Sequence, residues 1–214
     1  MPVNQHVILL HGLARTHRSM SPLTKALEKA GYQVINQGYP STRFPVEELS
    51  PNAINNALNQ CSGASTIHFV THSMGGILLR YYLSKFPLEN LGRTVMLAPP
   101  NHGSEIVDKL KRLPGFKLWN GPAGTQLGTD ESSLPKRLGH ADFDLGIIAG
   151  TRSMSPLLSS LLPKPDDGKV SLASTKLEGM QDHLSLPVTH TFMMQNAEVI
   201  QQVKHYLAEG RFKK

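Results

Sequence analysis

Cysteine and long apolar runs are the two features that this sequence most clearly lacks. One cysteine, Cys61, among 214 residues excludes an internal disulfide and favours a reducing compartment. The first apolar run, residues 7–10, is far too short for a signal-peptide core or a membrane span, and no basic region precedes it. We therefore expect a cytoplasmic protein without a transmembrane segment.

Motifs for metals, nucleotides and nucleic acids are missing as well. No His, Cys and Asp residues recur with the spacing of a zinc site, and no P-loop occurs, so we predict no metal and no cofactor. The net charge of +6 comes from scattered Lys and Arg residues. Their densest cluster, at 109–112, has no interleaved aromatic residues on which bases would stack. We expect no nucleic-acid partner, whereas weak contact with an anionic membrane surface stays open.

Buried strands and amphipathic helices alternate along the chain. A hydrophobic content of 39% and a charged content of 18% are typical of a globular protein, and 214 residues suit one domain. Apolar runs predict strands at residues 7–10, 32–36, 66–70, 94–98, 143–150 and 184–188. Helical patterns lie between them, one of them at 46–60 with a break at Pro51. The alternation predicts a mostly parallel sheet with helices on both faces.

Residues 105–140 interrupt this alternation. The helical periodicity fades there, and Gly and Pro recur. We interpret the segment as an insertion into a single domain spanning 1–214, either a small cap or a substrate-lining loop. Its apolar residues are expected to form either a water-excluding wall of the site or a partly mobile flap, namely Leu110, Leu113, Phe116, Leu118 and Trp119.

The turn at residues 71–76 carries the strongest chemical signal. An apolar strand pattern leads into Ser73 and a helical pattern leads out, which is the context of a nucleophile elbow. Small residues must flank the serine there, and Gly75 and Gly76 meet this need on the helix side. Thr71 departs from the usual glycine on the strand side. The alternative is that Ser73 only caps the helix.

Partners for an activated serine follow later in the chain. A serine hydroxyl needs an imidazole to take its proton, and the imidazole needs a carboxylate to fix its tautomer. Asp166 or Asp167 would supply the carboxylate, and His190, after the last predicted strand, the imidazole. The backbone N–H groups of Leu13 and Met74 are candidate donors to a developing oxyanion.

Four segments together resemble bacterial serine lipases and esterases. They are residues 9–13, 72–76, 98–104 and 167–170, and the resemblance runs across nearly the whole chain. It implies a trimmed α/β-hydrolase fold, with Ser73 as nucleophile, Asp167 and His190 completing the triad, and Leu13 and Met74 as oxyanion donors. Nothing in residues 105–140 matches, so the resemblance implies no particular substrate.

Local sequence separates the paired candidates. Asp167 is favoured over Asp166 because it directly precedes a Gly-x-Val turn. His190 is favoured over His183, which is expected before the last strand, at its opposite end. Three further residues are predicted to line the site: His72, His102 and Trp119.

The functional hypothesis is cleavage of carboxylic esters through an acyl-enzyme. A small-molecule or lipid ester is the expected partner, with soluble short- or medium-chain esters preferred because residues 105–140 hold only two aromatic residues, Phe116 and Trp119. A thioesterase or an acyltransferase would use the same residues. A catalytically silent binding protein of the same fold is the alternative from another class. The oligomeric state stays open.

Overall fold

Six parallel strands form one sheet in the computed structural model, which describes residues 4–214. The strands are β1 (Gln5–Leu10), β2 (Gln33–Gln37), β3 (Thr66–His72), β4 (Leu91–Leu97), β5 (Leu145–Gly150) and β6 (Asp182–Leu186). Their order across the sheet is β2-β1-β3-β4-β5-β6, and every neighbouring pair is parallel. Since parallel strands need crossover connections, the helices lie between them in sequence.

The helices vary from single turns to elements of more than three turns. They are α1 (Ser21–Lys29), α2 (Val46–Leu58), α3 (Met74–Leu83), α4 (Glu105–Leu110), α5 (Phe116–Thr125), α6 (Leu134–Arg137), α7 (Pro156–Ser159), α8 (Leu172–Thr175) and α9 (Ala197–Glu209). Among residues 4–214, no helix has both the length and the apolar character that a membrane crossing requires.

Alternating side chains of β1 enter different hydrophobic cores. Val7 and Leu9 pack with residues of α1 and α9 on one face of the sheet. Ile8 and Leu10 pack with residues of α2 and α3 on the other face. Because successive strand side chains point to opposite faces, helices cover both sides of the sheet. The predicted α/β architecture is confirmed.

The predicted helix break at Pro51 is wrong. Helix α2 continues through Pro51, which is one of its internal residues. A proline costs the helix one backbone hydrogen bond, but packing repays the loss. The Ser50 hydroxyl donates to the Leu78 carbonyl of α3 at 2.7 Å, and Ala53 and Ile54 are buried against the sheet.

The last strand begins two residues earlier than the apolar pattern indicates. Strand β6 starts at Asp182, which pairs with Gly146 of β5, and ends at Leu186. His183 therefore lies inside β6 rather than before it, although it does lie at the end remote from His190. Its Nε2 is 2.9 Å from the Thr175 hydroxyl.

Residues 105–140 fold into three short helices, α4 to α6, between β4 and β5. These helices have 6, 10 and 4 residues, so none is long enough to build a clear helical repeat in the sequence. Gly121 interrupts α5 with a φ of 66°. A side chain there would collide with the backbone of Thr42, so glycine allows α5 to lie directly against the loop after β2.

Candidate active site

Loops after the carboxyl ends of the strands surround a cavity of about 260 Å³. Ser73 and His190 both line it, together with Leu13 and His72. These residues follow or end β1, β3 and β6, and residues after β4 and β5 complete the lining. Ligands of open α/β sheets bind at this end of the strands.

Ser73 lies in a strained turn between β3 and α3. Its φ of 53° and ψ of −122° are rare for a residue with a side chain and cost about 1–3 kcal/mol. The Ser73 N–H donates to the Leu97 carbonyl at 2.8 Å, which extends the sheet into the turn. A Cβ on Gly75 would lie 2.6 Å from the Leu10 carbonyl oxygen, so only glycine fits there. The local geometry is that of a nucleophile elbow.

Thr71 fits where the usual motif has glycine. It is fully buried in β3, and its hydroxyl oxygen would lie 3.3 Å from a Cβ placed on Gly76. Because Gly76 has no Cβ, the turn accommodates the threonine side chain without displacing α3. Gly76 on the helix side therefore compensates for the missing glycine on the strand side.

His190 is hydrogen-bonded to Asp167. The distance from His190 Nδ1 to Asp167 Oδ2 is 2.7 Å, and both side chains are almost fully buried. Since a carboxylate only accepts, the proton is on Nδ1, and Nε2 is left free to accept another proton. Asp167 Oδ1 accepts from the backbone N–H groups of Lys169 at 2.9 Å and Val170 at 2.8 Å. These bonds fix the carboxylate that orients His190.

Asp166 serves a different purpose from its neighbour. One of its oxygens accepts from the Gly168 N–H at 2.8 Å, and the other accepts from the Ser159 hydroxyl at 2.7 Å and from the Lys164 ammonium. These contacts hold the loop between β5 and β6 together. The structure brings Asp167 to His190, and it keeps Asp166 in the loop.

The His72 side chain contacts the backbone of His190. Its Nε2 donates to the His190 carbonyl at 3.0 Å, and the two rings are 4.8 Å apart. Burial, followed by the charge of His190, lowers the pKa of His72 well below the ordinary value of 6.5. His72 is therefore a neutral residue that lines the cavity and positions the histidine loop.

The loop after β1 passes directly over the serine. A Cβ on Gly12 would lie 3.1 Å from Ser73 Cβ, so glycine allows the loop to bring the Leu13 backbone to the nucleophile. Tyr39 holds this loop, because its hydroxyl donates to the His11 carbonyl and its ring stacks on His11 at 4.0 Å. The sequence analysis did not identify Tyr39, although β2 and β1 are neighbours and Tyr39 follows β2 closely.

Met74 is the first residue of α3. The first backbone N–H groups of a helix have no carbonyl partner within the helix, and the helix dipole favours negative charge at this end. Leu13 lines the same cavity as Ser73, and Met74 directly follows the serine. The assignment of their N–H groups as oxyanion donors stays a prediction.

Two residues predicted to line the cavity lie elsewhere. His102 is exposed, and Trp119 has 77% of its surface exposed. Neither belongs to the cavity lining, whereas Leu110 and Phe116 do. The expected apolar wall is therefore split, because Leu113 and Leu118 are exposed as well.

The Ser73 hydroxyl makes no hydrogen bond within residues 4–214. Catalytic hydrogen bonds are often long without substrate and close when it binds, so this geometry is compatible with an active serine. The same part of the chain has no group of three or more His, Cys, Asp or Glu side chains arranged to hold a metal ion.

One cavity at the carboxyl ends of a parallel sheet brings together a strained serine and a histidine that an aspartate orients. These features define a hydrolase-type α/β protein. The family model described as "alpha/beta hydrolase fold" matches residues 5–121. The chain belongs to the α/β-hydrolase family. No curated protein sequence matches it.

Solved structures of lipases and esterases share the fold. The mature lipase BlEst2 of Bacillus licheniformis superposes with a TM-score of 0.73 at 14% identity, covering 98% of this chain and 93% of that one. Phospholipase PlaB of Legionella pneumophila superposes with a TM-score of 0.73 at 17% identity, covering 96% of this chain and 58% of that one. The metagenomic carboxyl esterase MGS0156 superposes with a TM-score of 0.69 at 20% identity, covering 89% of this chain and 65% of that one.

Proposed function

We propose that the protein hydrolyses carboxylic esters through an acyl-enzyme formed on Ser73. The observation that carries the proposal is the 2.7 Å hydrogen bond between His190 and Asp167 beside a cavity that Ser73 also lines. The solved lipase and esterase structures have the same fold and add support. Because their sequence identity with this chain is low, that support concerns the fold alone.

The proposed reaction has two halves. His190 Nε2 takes the hydroxyl proton of Ser73 as its oxygen attacks the ester carbonyl, and Asp167 stabilises the imidazolium. The N–H groups of Leu13 and Met74 donate to the oxyanion. His190 then gives the proton to the departing alkoxide. In the second half, His190 activates a water that attacks the acyl-enzyme and releases the carboxylic acid.

Short- or medium-chain esters are the proposed substrates. A cavity of about 260 Å³ lies below the usual size range for drug-like ligands. Leu110 and Phe116 give it an apolar wall that suits an acyl chain. A thioester would fit the same machinery, so the substrate panel should include thioesters of matched chain length.

The direct test is turnover of p-nitrophenyl esters by purified protein and by Ser73→Ala. We expect Ser73→Ala to lose a factor of about 10⁴–10⁶ in kcat while remaining folded. Undiminished turnover by folded Ser73→Ala would refute the proposed mechanism.

A further inference from the structure

Two cationic side chains at the cavity have no carboxylate partner. Arg15, from the loop after β1, and Lys169, from the loop after β5, both belong to the lining. Within residues 4–214, neither side chain takes part in an ion pair or a side-chain hydrogen bond. No Asp or Glu belongs to the lining, so the charged side chains that line the cavity are positive.

Nearby cations behave differently. Lys111 pairs with Asp108 and Asp130, and Lys164 pairs with Asp166. These two lysines lie outside the cavity lining and are paired with carboxylates, whereas Arg15 and Lys169 face the cavity without an ion pair. The one carboxylate close to Lys169 is Asp167, which His190 and two backbone N–H groups already engage.

Arg15 and Lys169 lie within each other's electrostatic field. Desolvation, followed by the charge of Arg15, lowers the pKa of Lys169, and the charge of Asp167 acts in the opposite direction. Both charges also contribute to lowering the pKa of His72 beneath the cavity. Two like charges that line one cavity repel each other, and a bound anion offsets this repulsion.

The backbone around both cations is held in place. The Lys169 N–H donates to Asp167, and its carbonyl accepts from the Ser104 hydroxyl at 2.8 Å. Next to Arg15, the Ala14 N–H donates to the Ser41 hydroxyl oxygen at 3.1 Å. The cations therefore belong to the two loops that also carry the oxyanion donor Leu13 and the triad carboxylate.

The cavity lining combines an apolar wall with two cations. Ile106, Val107, Leu110 and Phe116 line the cavity from α4 and α5. Arg15 and Lys169 line it from the loops after β1 and β5. A ligand that uses both kinds of lining carries an apolar chain and a negative group.

We propose that Arg15 and Lys169 form an anion subsite that selects esters carrying a phosphate or carboxylate group on the alcohol side. The inference rests on the proposed function, since it assigns the substrate class of the same site. The acyl chain occupies the wall formed by α4 and α5, and the anion lies between the two cations. Hydrogen bonds from guanidinium and ammonium groups to an anion are charge-assisted, and they are stronger than hydrogen bonds between neutral groups.

The test compares 1-hexanoylglycerol 3-phosphate with 1-hexanoylglycerol, which differ only in the phosphate, by release of hexanoate. We expect kcat/KM for the phosphate ester to be higher by about tenfold or more. Arg15→Gln and Lys169→Gln should each lower that value by about tenfold and change the neutral ester by less than about twofold. Raising the salt concentration should reduce the preference.

Lys117→Gln is the matched control, because Lys117 is an exposed cation of α5 that does not line the cavity. It should leave both rates unchanged. Equal kcat/KM for the two esters, or an equal loss in Lys117→Gln and Lys169→Gln, would overturn the subsite. Adding vesicles of long-chain phosphatidic acid distinguishes a lipid headgroup from a small soluble phosphate ester as the source of the anion.

A binding measurement separates this inference from the proposed function. Ser73→Ala is titrated with hexyl phosphate and with hexanol by calorimetry, so that no turnover is needed. Tighter binding of hexyl phosphate that is lost in Lys169→Gln upholds the subsite even if no ester is cleaved. Cleavage of neutral esters without any phosphate preference upholds the proposed function and refutes the subsite.

Discussion

At the scale of single residues, neighbouring carboxylates do different work. Asp166 and Asp167 are adjacent, yet one holds its own loop together and the other orients His190. The Gly-x-Val turn after Asp167 explains this difference. The N–H of Val170 reaches back to Asp167 Oδ1, while Gly168, with a φ of 95°, turns the chain.

Asp167→Asn should therefore remove most of the activity. An asparagine amide at this position favours the wrong tautomer of His190, and we expect a loss of about 10⁴ in kcat. The measurement is steady-state turnover of a p-nitrophenyl ester, with folding checked by circular dichroism.

Asp166→Asn is the matched control. It removes the charge that faces Lys164 and keeps the side-chain size, so it should lower stability while kcat changes by less than about tenfold. A larger loss of kcat in Asp166→Asn than in Asp167→Asn would show that the carboxylate assignment is wrong.

The sequence predicts the residues of the candidate triad better than it predicts the residues that hold them in position. Ser73, Asp167 and His190 each have a local signal: a strand–turn–helix context, a glycine turn or a place after the last strand. The contact between His72 and the His190 carbonyl joins residues 118 positions apart, and no local pattern predicts it. Tyr39 likewise reaches the His11 carbonyl because β2 and β1 are neighbours in the sheet.

At the scale of elements, α5 shows why the apolar wall was only partly predictable. Phe116 lines the cavity, whereas Leu118 is 84% and Trp119 77% exposed. Composition gives the apolar residues, but the direction of a short, kinked helix depends on its contact with Thr42 at Gly121. Exposed Leu118 and Trp119 also give the protein more apolar surface here than the sequence indicated.

Phe116→Ala should change the acyl-chain preference. Removing the ring enlarges the apolar part of the cavity, so kcat/KM should shift toward longer p-nitrophenyl esters by about tenfold, the value of one or two methylene groups. Labelling of Ser73 by a fluorophosphonate should remain.

Trp119→Ala is the control on the same helix. Because Trp119 lies outside the cavity, the chain-length profile should stay unchanged. A profile that moves in Trp119→Ala and not in Phe116→Ala would contradict this description of the wall.

At the scale of the whole molecule, the alternation of elements was sufficient to predict the sheet. Continuous apolar runs such as residues 7–10 are typical of strands buried on both faces, and β1 lies between β2 and β3 with its residues 7–10 fully buried. Boundaries were less predictable, since β6 pairs with β5 through Asp182 and His183, two residues that carry no apolar signal.

Buried histidines should make the protein sensitive to acid. Burial is the main cause that lowers the pKa values of His11, His68 and His72 below 6.5 in the folded state. The unfolded chain then binds more protons, so stability is fully present above about pH 6.5 and is lost as the pH falls below it. Each group contributes up to about 1.4 kcal/mol per pH unit.

Urea unfolding between about pH 7.5 and pH 5 measures this effect. We expect the free energy of unfolding to stay level above about pH 6.5 and to fall from there toward pH 5. A stability that stays constant or rises toward pH 5 would contradict the assignment of these histidines as neutral buried groups.

Covalent labelling of the nucleophile tests the central claim most directly. The folded protein is treated with a fluorophosphonate, and the adduct is located by intact-mass and peptide mass spectrometry. The account predicts one adduct, on Ser73, that forms much more slowly in His190→Ala and is absent from Ser73→Ala. An adduct on another residue, or no adduct on a folded protein, would contradict the account.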